Sequence, residues 1–339
     1  MNSHDDDRPR RGPPDNPWGS ARPRTGQARP DKRERERLKA AGQGRPPRDA
    51  AYAERAPPSY APRSSGPRAD AGPRRSDERA AGETTPRPEL QQRHEELRLF
   101  GINACKAAFA ARPQDLRKAY LTEQRIAEFK QLLAWCVKHR LGYRVVEEAD
   151  LARLSASQHH EGICLEMRRQ APLALAELLA QQPPAPQPSL LVVLDGVGNP
   201  HNFGAVLRSA ANFAVGGIVL PADSSLSLSG AACRVAEGGA EAVALARPQP
   251  GEDLLALLRA AGYAVAATVP RDGLPLYRQS LPARLALIFG AENEGMSAAL
   301  IQAADLRLQI PGSGKVESLN IAASAAVLFA EHYRQHLVS

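Results

Sequence analysis

Four polar residues in two short segments have the types and spacing to act together on a substrate. In LDGVGNPHNFGAVLRSA (194–210), Asn202 and Arg208 sit six apart in what reads as a turn followed by a helix. A guanidinium there can fork onto a phosphate with two parallel hydrogen bonds. If Asn202 caps the helix, both side chains can face the same end of the domain. In LQIPGSGKVESLNIAASAAV (308–327), Ser318 and Asn320 open the last helix. Unpaired N–H groups and the positive end of the helix dipole favour an anion at such a place. A third segment, IFGAENEGMS (288–297), carries Glu292 between Gly290 and Gly295. Two nucleotide-binding patterns fail on inspection. GVGNPH (196–201) has His201 where a dinucleotide fingerprint needs its third glycine, and GSGK (312–315) has Gln309 where a phosphate loop needs its first.

The elements that must position these residues alternate regularly. From Leu190 onward, LLVVLDGV, GGIVLP, AVALA, YAVAATV, LALIFG and LRLQI are short runs rich in Val, Ile, Leu and Ala. Helical candidates at 202–213, 252–261, 297–304 and 318–335 separate them. Continuous apolar strands between helices predict an α/β domain whose parallel sheet is covered on both faces. Ligands bind such sheets at the carboxyl ends of the strands, here the loops beginning at Asp195, Thr268, Gly290 and Pro311. Upstream, residues 97–170 read as a smaller mixed unit with helices at 103–111 and 124–139 and strands at 118–121, 143–146 and 162–166. Between the two, 171–189 begins as a helix and ends in prolines, a linker pattern.

Charge divides the chain differently. Residues 1–93 hold 21 Lys and Arg against 14 Asp and Glu, so all of the chain's net +7 lies there. With 15 of the 29 prolines in the same stretch, the composition predicts a disordered basic tail. Such an arm suits phosphate binding through counterion release; it also suits simple solubility. No apolar run is long enough to span a bilayer, and Asp5, Asp6 and Asp7 argue against a mitochondrial leader. Cys105, Cys136, Cys164 and Cys233 show no disulfide spacing. A cytoplasmic location is the expectation. Cys136, His139, His160 and Cys164 mimic a zinc set only loosely, since Cys136 and His139 fall on an amphipathic helix.

In order and spacing, the segments 194–210, 288–297 and 308–327 resemble the three signature motifs of the SpoU/TrmH family of RNA ribose methyltransferases. LRLFGINACKAAFA (97–110) and HHEGICLEM (159–167) look like the start and end of the L30e-like RNA-binding domain of some members, with Glu161 where many have Gln. The resemblance implies four regions: a basic tail (1–93), an L30e-like substrate-binding domain (97–170), a linker (171–189) and a methyltransferase domain (190–339) whose C-terminal part forms a trefoil knot. It implies S-adenosylmethionine as cofactor, without a metal, and methyl transfer to a ribose 2′-hydroxyl of tRNA or rRNA.

Carried over by position, cofactor contacts fall on Thr268, Gly290, Ile310 and Leu319, with Glu292 and Gly295 shaping the second loop. Arg208 becomes the catalytic residue, as base or as clamp, and Asn202, Ser318 and Asn320 line the methyl and ribose site. Plainer roles exist for three of these: Arg208 as a surface residue, Ser318 as a helix cap, Glu292 as a loop-ordering group. The family implies a homodimer sharing its RNA site. The last helix, with Ile321, Ala325, Leu328 and Phe329 on one face and Ala322, Ala323 and Ala326 allowing close approach, is expected to build part of its interface. Because all these positions are filled, an enzyme is favoured over an RNA-binding or ribosome-assembly protein that keeps the fold as a scaffold.

Overall fold

The computed structural model describes residues 96–291 and 295–338; the basic tail and Glu292 lie outside the described residues. The first domain runs β1 (Glu96–Phe100), α1 (Ile102–Ala111), β2 (Leu116–Leu121), α2 (Lys130–Lys138), β3 (Gly142–Val145), α3 (Glu148–Ser155) and β4 (Ile163–Arg168). Its sheet has the order β1-β4-β2-β3, with β4 antiparallel to both neighbours and β3 parallel to β2. The helix expected over 124–139 begins only at Lys130. Arg125 donates from Nε to the Glu161 carbonyl at 2.9 Å and from Nη1 to Glu128 at 3.0 Å. These bonds hold the preceding turn against the 160–162 loop instead of letting the helix start there.

The segment read as a linker belongs in part to the second sheet, which corrects that expectation. It contains β5 (Leu173–Ala174), paired in parallel at the sheet edge, and α4 (Leu175–Ala180), whose Leu175 and Leu178 are fully buried. A two-residue strand has no periodicity to read; only its sheet partner defines it. The elements that follow are β6 (Ser189–Leu194), α5 (Pro200–Asn212), β7 (Gly217–Val219), α6 (Gly230–Ala236), α7 (Gly239–Ala242), β8 (Leu245–Arg247), α8 (Leu254–Ala260), β9 (Ala264–Thr268), β10 (Leu274–Pro275), β11 (Arg284–Phe289), α9 (Ala298–Ala303), β12 (Leu306–Gln309) and α10 (Ile321–His336). The eight strands pair in parallel in the order β10-β12-β9-β11-β6-β7-β8-β5.

Alternation along β6 explains its continuous apolar run. Val192 and Leu194 point into a core with Phe203 of α5 and Phe329 of α10, and Leu191 and Val193 into another with Leu258 and Tyr263. Each fully buried Leu or Val stabilises the fold by about 1.5–3 kcal/mol.

The two domains are joined through α6 and α7. Cys233 of α6 packs in the first domain's core with Leu99 and Leu165. Arg112, buried, grips Glu241 with two bonds of 2.8 Å. Glu161 accepts from the Ile102 N–H at 2.9 Å and pairs with Arg234 at 3.1 Å. A glutamine could accept the same N–H but could not form that ion pair, which gives the Glu161 departure a physical reason.

The outcome for α10 also differs from expectation. Ile321, Ala325, Leu328 and Phe329 are buried within the chain against Phe203, Val206 and Leu207 of α5. They are therefore unavailable to a second copy. Periodicity identifies a buried face but does not name what buries it. On the rest of α10, Ala323 is exposed and Ala326 half-buried, while Ala322 and Val327, also half-buried, pack against the same core.

Candidate active site

The carboxyl ends of four adjacent strands, β12, β9, β11 and β6, bring the signature segments together. Thr268 ends β9, and its hydroxyl donates to the Ile288 carbonyl of β11 at 2.9 Å. The Asp195 N–H donates to the Phe289 carbonyl at 2.8 Å, extending the β6–β11 ladder by one residue. Gly290 follows β11 immediately. A Cβ there would lie 2.5 Å from Met296 N and 2.7 Å from Gly295 C, so only glycine lets the 290–296 loop close on itself. The loop is pinned by a bridge between Ala291 and Gly295, whose N–H donates to the Ala291 carbonyl at 2.9 Å. Gly295 holds φ at +69°, the left-handed region that suits glycine. Ile310, half-buried, follows β12, and residues 311–320 are exposed throughout. Leu319 is 48% exposed there.

Asn202 and Asn320, 118 residues apart, are brought into contact: Asn320 Nδ2 donates to Asn202 Oδ1 at 3.1 Å. Asn320 caps α10, its Oδ1 accepting from the Ala322 N–H at 2.9 Å. Three sequence expectations are corrected here. The cap of α5 is Asn199, which accepts from the His201 N–H at 2.9 Å, so Asn202 lies inside the first turn. Pro200 at the first helical position sets this start, because its missing N–H costs nothing there. Ser318 neither caps nor opens α10; it lies two residues before the cap, in the exposed stretch.

The third correction concerns Arg208. Six residues of α-helix advance about 9 Å and turn the side chain by about 120°. Arg208 is accordingly exposed in a different place, a cleft of about 740 Å³ also lined by Asn103, Asn212, Glu237 and Gly239. There α7 lies against α5 so closely that a Cβ on Gly239 would meet Leu207 O at 2.7 Å and Arg208 Cα at 3.0 Å. Asn103 Nδ2 donates to Glu237 Oε2 at 2.6 Å across the domain boundary. Within one chain, Arg208 and the Asn202–Asn320 pair are separate.

One titratable residue at the strand ends was overlooked as a candidate. Burial, and then the nearby charge of Asp223, pushes the Asp195 carboxyl above its ordinary range. Its signal in the sequence was an acid placed directly after an apolar strand. Among the described residues, no group of three or more His, Cys, Asp or Glu could hold a metal ion. His139 stacks on Trp135, whereas His160 lies beside Glu148 at 3.5 Å. No described helix is long and apolar enough to cross a membrane.

Comparison with known proteins agrees with this arrangement. Residues 189–330 match the SpoU rRNA Methylase family, and residues 98–173 match the RNA 2′-O ribose methyltransferase substrate-binding family. The uncharacterized tRNA/rRNA methyltransferase YfiF of Escherichia coli O157:H7 is 37% identical, over 78% of this chain and 80% of its own length. This chain belongs to the SpoU methylase family. Another relative is the 23S rRNA (guanosine-2′-O-)-methyltransferase RlmB of Salmonella typhi, 32% identical over 70% of this chain and 98% of its own. Among solved structures, an RNA 2′-O ribose methyltransferase superposes with a TM-score of 0.61 at 26% identity, covering 74% of this chain and 93% of that one. An AdoMet-bound rRNA methyltransferase from Sinorhizobium meliloti, at TM-score 0.59 and 23% identity over 74% of this chain and 91% of its own, has the same fold. In this SpoU chain, the motif that carries Asn202 and the motif that carries Asn320 meet over the strand ends.

Proposed function

We propose that this SpoU chain is an S-adenosylmethionine-dependent enzyme that methylates a ribose 2′-hydroxyl of tRNA or rRNA, acting as a homodimer in the cytoplasm. The observation that carries the proposal is the hydrogen bond from Asn320 to Asn202. It joins two motifs from opposite ends of the domain above the loops that would hold the cofactor. The relatives named as guanosine-2′-O-methyltransferases support the reaction type, and the four free, buried cysteines suit a reducing compartment.

The loop residues fit the cofactor. Gly290 keeps backbone accessible where any side chain would collide with the loop. Thr268 at the end of β9, Ile310 just past β12 and Leu319 just before the cap of α10 supply backbone polar groups and apolar surface, with Gly295 in the loop after β11; Glu292 enters from its place in the sequence motif alone. When bound, S-adenosylmethionine supplies a methyl group on a sulfonium whose departure as a neutral thioether needs no metal. The chain's own residues then have to orient the ribose. Asn202, Asn320 and Ser318 offer amide and hydroxyl groups for that task, at the hydrogen-bond range that alignment of an attacking oxygen requires.

Arg208 offers a planar fork of donors and no acceptor, so it acts by gripping a phosphate or the reacting ribose. Because it stands apart from the asparagine pair in one chain, the partner subunit's Arg208 completes each site. The part of α10 around Ala323 and Ala326 is the surface offered to the second copy.

The test is transfer of labelled methyl from S-adenosylmethionine by the purified chain to tRNA and rRNA from cells lacking the gene. Label recovered as 2′-O-methylnucleoside supports the proposal. Label in a base overturns the ribose assignment, and RNA binding with no transfer to any pool leaves only a scaffold role.

A further inference from the structure

Glu237 places a carboxylate where the backbone would more easily take a glycine. α6 ends at Ala236, and Glu237 follows it in the left-handed region at φ +52°, its N–H donating to the Arg234 carbonyl at 3.2 Å. Helix ends of this kind ordinarily carry glycine or asparagine, because a Cβ crowds the chain there. Two glycines come next, Gly238 and Gly239, yet the first left-handed position is given to a charged side chain. Backbone strain of this sort persists where the side chain has a use.

The half-buried side chain of Glu237 lines the same cleft of about 740 Å³ as Arg208, a volume suited to a small ligand. Gly239 brings α7 against the Arg208 backbone, so carboxylate and guanidinium open into one space. They do not neutralise each other. Among the described residues, the Glu237 carboxylate accepts one hydrogen bond, from Asn103 Nδ2 to Oε2 at 2.6 Å, and the Arg208 guanidinium makes none. Glu237 Oε1 and the whole Arg208 fork are left for a ligand. Phe213 adds an aromatic wall, itself tilted against Tyr333 at 6.0 Å.

An open cation, an open carboxylate and an aromatic wall suit a nucleotide whose base presents donors. The guanidinium takes its phosphate or ribose, and the ring offers a face for the base. The carboxylate, which has acceptors alone, then chooses among bases. Guanine presents two adjacent donors, N1–H and the N2 amine, to its two oxygens. Adenine and cytosine put a ring acceptor beside their amine, and uracil flanks its N3–H with two carbonyls. Each of these meets the carboxylate with a repulsive pair, and repulsion of the wrong partner is half of specificity.

We infer that Glu237 reads the base of the methylated nucleotide and selects guanine, its carboxylate accepting from N1–H and the N2 amine while Arg208 holds the same nucleotide. The inference rests on the reading that Arg208 completes the site of a second copy, since this cleft then closes over the reacting nucleotide. The test titrates guanosine, inosine, adenosine and uridine 5′-monophosphates into the full chain with S-adenosylhomocysteine present, followed by NMR. The guanosine nucleotide should bind about 5- to 150-fold tighter than the adenosine or uridine nucleotide, the range for one bidentate base contact. The inosine nucleotide, which keeps N1–H and lacks the amine, should fall between them.

Two substitutions separate reading from support. Glu237→Gln keeps an oxygen for Asn103 but loses the pair of acceptors, and should bring the nucleotides within about twofold of one another. Glu237→Gly suits the left-handed backbone, so it should lose the same preference while melting no lower than the parent. No guanine preference in the parent, or a preference that survives either substitution, overturns the inference. The labelled-methyl assay distinguishes its failure from that of the enzymatic reading. Methyl recovered only on riboses of other nucleosides sinks the base assignment and leaves the enzyme standing. A guanine preference that needs Glu237, with no transfer to any RNA, sinks the enzymatic reading and leaves the cleft's selectivity in place.

Discussion

Replacing Gly290 by alanine tests the cofactor loop at its tightest point. The new methyl would begin 2.5 Å from Met296 N, 2.7 Å from Gly295 C and 2.9 Å from Met296 Cα, all backbone atoms that no side-chain rotation can move away. Ordinary contact begins at 3.4 Å, so the loop must give by 3.4 − 2.5 = 0.9 Å. Overpacking of this kind costs about 1–3 kcal/mol. If the 290–296 loop relieves it by opening, the same energy is withdrawn from the bound state. The affinity for S-adenosylmethionine should then fall by about five- to 150-fold. Gly198→Ala is the matched control. It sits on the neighbouring 195–199 turn, where a Cβ would meet nothing within 4 Å, and it should bind like the parent. Calorimetric titration of both variants, with melting curves to confirm folding, gives the answer. Equal affinity in Gly290→Ala and the parent would refute the assignment of this loop.

Three further outcomes are expected. Burial, and then the charge of His336, lowers His332 to about 4 from 6.5. This stability is complete above pH 6.5 and is lost as pH falls through 4, so melting should show a loss on the order of 2 kcal/mol between pH 7 and pH 5 that His332→Gln removes. Glu331, held by Arg334 and lowered to about 2 from 4.5, loses its contribution only below pH 4.5, so the two windows are separable in a pH series. Glu241→Ala removes two bonds from Arg112, buried at 5% exposure, and leaves it Asp115 at 3.5 Å and the Arg168 carbonyl at 3.0 Å, so it should destabilise the chain by about 1.5–3 kcal/mol in denaturant titration; a loss below about 1 kcal/mol would mean the pair does not hold the domains together. Arg208→Ala should cut single-turnover methylation by roughly 10²–10³ with little loss of RNA affinity, whereas deleting 1–93 should weaken RNA binding and flatten its salt dependence, and the reverse pattern would move the catalytic site elsewhere.

The strands of the large domain were legible because both faces of the sheet are covered. Val192 and Val193 are buried on opposite sides, and such a run of Val, Ile and Leu has few other uses. β5 and β10, two residues each, carried no signal of their own. α3 was missed because Leu151 is its only fully buried residue, too little for a helical period. In the site, residue types pointed to the right segments but not to their partners. NPHN offers two asparagines as caps, and Pro200 decides for Asn199, a rule readable in the sequence. That Asn202 would meet Asn320 was not readable, since contact between residues 118 apart depends on how α5 and α10 pack.

That packing makes α5 the element on which the whole arrangement turns. Its N-terminal turn holds Asn202 against Asn320, and its apolar face buries Phe203, Val206 and Leu207 against α10. Further along, Arg208 stands where Gly239 of α7 comes within contact of its backbone. Arg234 of α6, Glu237 just past its end and Glu241 of α7 bind Glu161, Asn103 and Arg112 of the first domain. The position of Arg208 is thus set by the same two helices that set the position of the substrate-binding domain. Displacing one must strain the other, because packed helices shift as units rather than deforming smoothly. An RNA that pulls on the first domain therefore acts on the helix carrying Arg208, the arginine proposed to grip the reacting group. Glu241→Ala, which cuts that link while touching neither Arg208 nor the asparagine pair, should lower turnover as well as stability, and the turnover loss should persist at temperatures where the variant is fully folded.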